Sequence, residues 1–186
     1  MATKPSLALI PSGYKASKVY SVLPSTGDGD FTDLGGSPPN ARYIAVVRDF
    51  VVLGCVENNE RRVQWSAIND AEGWTVGTDS SDFQDFPAGG PVRGVVGGET
   101  GYVWLSDKVF RMVFVPGSDA IFQFDEIEGG RGLRSPYSLV KWGSEAFYRG
   151  TDGFYRFNLG SGASTQIGTG KWARFFEKEL ALSDRF

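Results

Sequence analysis

The sequence predicts an all-β protein built from repeated antiparallel three- to four-stranded meanders, with a short C-terminal helix. Three observations carry this expectation. Gly supplies 25 of 186 residues and aromatics 14%, so turn formers and strand formers are both abundant. Residues 135–159, SPYSLVKWGSEAFYRGTDGFYRFNL, hold three apolar runs broken by Gly143-Ser144 and by Gly150-Thr151-Asp152-Gly153. Such runs, punctuated by Gly-Ser and Asp-Gly, are hairpin signals. Finally, the pattern recurs. Aligning Ser106-Asp107-Lys108 with Thr151-Asp152-Gly153 brings Phe110-Arg111 onto Tyr155-Arg156, at an offset of 45 residues.

Residues 1–41 have little periodicity and read as an extended N-terminal arm. Within it, 19–23 (VYSVL) is one short strand, 24–30 is turn chemistry, and 35–40 is a cluster of breakers. Asp28, Asp30 and Asp33 have the look of a calcium loop. The EF-hand order and its closing Glu are absent, so an acidic turn is the better reading.

Residues 42–66 form the first strand group: 43–47, a turn at Arg48-Asp49, then 50–56, a polar tip at 57–60, and 61–66. The last of these alternates in period two, with Val63 and Trp65 on one face. Residues 67–91 read as a long connection with five acids (Asp70, Glu72, Asp79, Asp82, Asp85) and no base. Trp74, Phe83 and Phe86 are its expected anchors. No spacing selects a carboxylate pair for acid/base work, so a solvated acidic loop is expected.

Residues 92–127 repeat the pattern, with strands at 92–96, 101–105, 109–115 and 120–127. In the third of these, Phe110, Met112 and Phe114 share a face. Residues 128–134 (EGGRGLR) are Gly-rich and basic, but no helical pattern follows to make a phosphate cradle. They read as a flexible inter-strand loop. After the meander at 135–159, 164–167 is a short strand. Residues 171–182 (KWARFFEKELAL) set Trp172, Phe175, Phe176 and Leu180 near one face of a helix. The expected division is therefore an arm at 1–41, a β domain at 42–170, and a helix or connection at 171–186.

Composition excludes some chemistry. There is no histidine, which removes the commonest general base and metal ligand. The one cysteine, Cys55, lies in the apolar run FVVLGCV and reads as a buried small hydrophobe. No apolar run approaches the roughly 18 residues of a membrane helix, so no membrane segment is expected. Net charge is −3, which argues against generic polyanion binding, but its distribution is uneven. Residues 1–130 carry 10 basic and 17 acidic side chains, and residues 131–186 carry 9 and 5.

The repeat length lies inside the roughly 40–50 residues of propeller units. A small twisted sheet with two apolar faces cannot bury both alone, but a stack of such sheets can. The sequence therefore predicts a β-propeller-like array. Three repeats, with arm strands as a possible fourth, make it open or partial, to be completed by another chain or by further sequence.

Three stretches together carry a resemblance. Gln64-Trp65-Ser66-Ala67-Ile68-Asn69-Asp70 is followed by Gly73-Trp74. Ser135-Pro136-Tyr137-Ser138 is followed by an apolar strand and Gly153-Phe154-Tyr155. Gln166-Ile167-Gly168 is followed by Trp172 and Phe175-Phe176. In this order, over about residues 42–178, they resemble the propeller-containing nozzle or hub proteins of short-tailed phages, also called packaged-DNA stabilisation proteins. The resemblance implies a virion structural protein that assembles in the host cytoplasm as a homo-oligomeric ring. It would contact other tail or head–tail connector proteins, and DNA would pass through its channel without sequence-specific binding. It implies no enzyme activity, no cofactor, and no catalytic or metal-binding residue.

Two other readings remain. A carbohydrate-binding or glycoside-cleaving propeller would use Trp74, Trp104 and Trp142 with Asp70 and Asp107. A generic adaptor would present one propeller face to a protein partner.

Overall fold

The computed structural model describes residues 6–9, 19–22, 31–170, 174 and 178, with side chains from Asp33 onward. Three short strands, β1 (Ser6–Leu9), β2 (Val19–Val22) and β3 (Phe31–Asp33), form an antiparallel sheet in chain order. The arm thus contains three strands where the sequence suggested one. Asp28 and Asp30 lie outside the described residues, as does most of the expected helix at 171–182. Arg174 and Lys178 are described there, and both have helical backbone.

Three four-stranded antiparallel sheets follow, each a meander in chain order. The first holds β4 (Ala41–Val47), β5 (Phe50–Val56), β6 (Asn59–Trp65) and β7 (Asp82–Asp85). The second holds β8 (Val92–Val96), β9 (Gly101–Leu105), β10 (Lys108–Phe114) and β11 (Phe122–Gly129). The third holds β12 (Val140–Trp142), β13 (Glu145–Arg149), β14 (Phe154–Asn158) and β15 (Ala163–Ile167). The all-β expectation and its meanders hold. The two stretches aligned at an offset of 45 residues are the third strands of successive sheets.

The sheets stack face to face, which explains why their second strands are apolar on both sides. Every residue of β5 is buried. Phe50 and Val52 point into the core shared with the second sheet, while Val51 and Leu53 point the other way, toward Leu34 and Trp74. Alternation is interrupted at Cys55, which takes a left-handed φ of 56° where the pairing with β6 slips. The slip leaves Cys55 on the same side as Val52. β9 is likewise buried throughout. Val103 and Leu105 join the first core, and Tyr102 and Trp104 join a second one with Tyr148, Tyr155 and Phe157 of the third sheet. Trp104 and Phe157 meet edge to face at 5.2 Å, the favoured geometry for aromatic pairs. Val63 and Trp65 share a face as expected, and so do Phe110, Met112 and Phe114.

Two expectations need correction. The connection at 67–91 is not wholly loop, because β7 lies within it and completes the first sheet. Residues 128–134 are not loose. Gly130 N–H donates to Asp107 O at 2.7 Å, Leu133 N–H donates to Leu105 O at 2.9 Å, and Leu133 is fully buried. A Cβ on Gly132 would lie 2.4 Å from the Asp107 nitrogen, so the loop needs glycine for its close approach.

Among the described residues the stack of sheets does not close on itself. Pairing register places Val140 beside Phe147, and Phe154 beside Ile167, on the outer face of the third sheet. Val140, Trp142 and Ile167 there are 57%, 78% and 38% exposed. Among the described residues no helix is long and apolar enough to cross a membrane.

Candidate functional site: a groove between first strands

The first strands of the sheets lie on one side of the stack. β4 and β8 touch through their backbones: Val47 bridges Gly98 in parallel, and Arg48 N–H donates to Gly98 O at 2.9 Å. Gly97 is obligatory there, since a Cβ would sit 2.0 Å from Val46 O. Beside this seam the chain leaves a groove of about 780 Å³, bounded by β4, β8 and the segment that enters β12. Leu139 packs into its floor against Gly94, where a Cβ would come within 2.7 Å of the leucine.

Three cations line the groove, one from each wall: Arg42, Arg93 and Lys141. Arg42 is tied to Glu60 at 3.1 Å. Arg93 donates from Nε to Ser106 Oγ at 3.2 Å, and Lys141 from Nζ to Gly97 O at 2.7 Å. The ion pairs among the described residues leave Arg93 and Lys141 without a carboxylate partner. The lining contains no Asp, Glu, Asn or Gln.

Two tyrosines complete the groove. Tyr43 and Tyr137 have ring centroids 5.7 Å apart, tilted by 49°. Burial pushes the Tyr43 phenol up to about 12, so it stays a protonated donor at neutral pH. Tyr137 is 57% exposed and held at φ 63°, a left-handed conformation that costs a bulky residue about 1–2 kcal/mol. Such strain gathers where a side chain must be aimed. The groove is thus rich in hydrogen-bond donors, poor in side-chain acceptors, and edged by an exposed ring. It can hold an anionic ligand. Its lining holds no Ser, Thr, Cys or carboxylate side chain.

The residues named for a carbohydrate site are not brought together. Trp104 is fully buried between the second and third sheets, and Trp74 packs in the cluster with Leu34 on the far face of the first. Trp142 alone of the three is exposed. Asp70 accepts from Glu72 N–H at 2.9 Å within its own turn, and the Asp107 backbone donates to Gly89 O and accepts from Gly130 N–H. In the acidic stretch, Trp74 and Phe86 are buried anchors, and Phe83 lies under the Arg62 guanidinium at 3.7 Å. Cys55 is buried, and desolvation raises its thiol to about 11, which makes it inert. Among the described residues no cluster of His, Cys, Asp and Glu could hold a metal.

No protein-family pattern matches this chain, and no curated protein matches it. Sequence reasoning missed the groove because its residues come from three segments about 50 positions apart. The repeat was the available signal, since it places Tyr43, Arg93 and Lys141 on successive first strands.

Proposed function

We propose that the chain is a virion structural protein of a phage tail, a nozzle, hub or tail-tube component that assembles as a ring around the DNA exit channel. The observation that carries this reading is the set of exposed apolar side chains on the outer face of the third sheet. The second sheet buries both faces against its neighbours, yet the third leaves Val140, Trp142 and Ile167 exposed at the end of the stack. A two-faced sheet gains its stability from a neighbour on each side. A further sheet, from another copy in a ring or from a continuing propeller, would cover these three side chains.

The first of the stretches that carry the resemblance to nozzle proteins has a structural role here, which fits a building part. Ser66 Oγ accepts from Val51 N–H at 3.1 Å, and Ala67 N–H donates to Gly73 O at 2.6 Å. The Trp74 indole donates to Ala71 O at 2.7 Å. These bonds knot the corner after β6. Other tail or connector proteins are the proposed partners, and DNA passes without sequence-specific contact. The site of action is the virion, after assembly in the host cytoplasm. The carbohydrate reading has less support, because two of its three tryptophans are core.

Light scattering on the purified full chain tests the proposal. It expects a discrete oligomer that Trp142→Glu combined with Val140→Glu reduces in mass while strand content by circular dichroism is kept. A wild-type monomer at the highest soluble concentration would overturn it.

A further inference from the structure

The ring proposal makes no use of the groove beside the β4–β8 seam, and the groove has its own chemistry. Its side chains offer donors from Arg42, Arg93, Lys141 and the Tyr43 hydroxyl, and no carboxylate or amide acceptor. A neutral sugar presents donors as well as acceptors, and only the two tyrosine hydroxyls among the lining side chains could accept from its hydroxyl protons. A phosphodiester presents acceptors alone. The cations stand on three different segments around the groove. Tyr137 holds an exposed ring at the edge, at the cost of a left-handed backbone. A basic groove tracking a backbone, with an aromatic ring for a base to stack on, is the general design of single-strand binding. At about 780 Å³ the groove has room for a few nucleotides.

We propose that this groove binds a short single-stranded stretch of nucleic acid without sequence preference, with Arg93 and Lys141 on phosphates and Tyr137 stacked on a base. Arg42, already paired with Glu60, sets the field at the rim. The inference does not depend on ring assembly, and a monomer would bind equally.

Fluorescence anisotropy of a labelled oligothymidylate of about 12 nucleotides, within the usual site sizes, tests it on the full chain at several salt concentrations. Binding is expected to weaken with salt, with a log–log slope of about −0.7 for each phosphate engaged. Arg93→Gln and Lys141→Gln each flatten that slope by about 0.7, and Lys141→Arg restores it. Tyr137→Gly weakens binding roughly tenfold, the scale of one lost stacking contact. Because glycine accepts the left-handed φ, its thermal midpoint stays at or above that of wild type. The proposal is overturned by no binding at low salt, or by binding that these variants leave unchanged. Equal competition by duplex DNA, or preference for an acidic polysaccharide such as polygalacturonate, overturns it as well.

Discussion

Arg62 and Asp85 meet across β6 and β7 as a two-point pair, Nε to Oδ1 at 2.7 Å and Nη2 to Oδ2 at 2.8 Å. The guanidinium also covers the Phe83 ring. These contacts fasten the fourth strand of the first sheet, which has no buried residue of its own.

Lysine cannot reproduce the fork or the stacking, so Arg62→Lys should lower stability by about 0.5–1 kcal/mol, a value already reduced by solvent screening. The Arg62 hydrogen bonds hold the Asp85 carboxyl below the usual carboxylate range. Its contribution is therefore present above the ordinary carboxylate pKa and is lost as pH falls through the depressed value. Urea midpoints of wild type and Asp85→Asn, compared at neutral and acidic pH, should converge as Asp85 is protonated. A gap that stays constant would contradict this role.

The two tryptophans on either side of the third sheet should behave oppositely. Trp104→Ala empties the centre of the second core and should cost about 3–5 kcal/mol. Trp142→Ala touches solvent within a single copy and should move the stability of an isolated copy by no more than about 0.5 kcal/mol. Denaturant titration at high dilution measures both.

Gly97 and Gly117 separate close approach from backbone strain. Gly97→Ala drives a methyl into Val46 O at the β4–β8 seam, and the cost should reach the upper end of about 1–3 kcal/mol for overpacking. Gly117 is open around its Cα and has a φ of 74°, so Gly117→Ala should cost only about 1 kcal/mol of strain. Equal thermal midpoints for the two variants would refute a tight seam.

Burial pushes the phenols of Tyr43, Tyr148 and Tyr155 up to about 12 and the Cys55 thiol to about 11. Folded values above unfolded ones give stability that is complete below the unfolded values and lost as pH rises through the folded ones. Alkaline unfolding should therefore set in between the ordinary phenol value of 10.0 and about 12. Ultraviolet titration should show these three phenols ionising with the loss of fold. Ordinary ionisation near 10 in the folded state would contradict their burial.

Much of the fold was legible because its strands obey local rules. Phe50–Val56, Val92–Val96 and Gly101–Leu105 fall where apolar runs meet turn residues. β7 was hidden because DFQD is short and acidic, and its place depends on Arg62, some twenty residues earlier. β1 and β3 were hidden for a similar reason, each being only a few residues long. The packed state of 128–134 was invisible because it rests on contacts with residues 105–107, which no local pattern encodes. The carbohydrate candidates failed on burial, since Trp104 looks the same in sequence whether it faces a core or a ligand.

Electron micrographs of the purified chain test the central claim most directly, that these stacked sheets are a part requiring neighbours. Class averages should show closed rings of fixed copy number around an open centre. A uniform field of single, self-contained particles would contradict it.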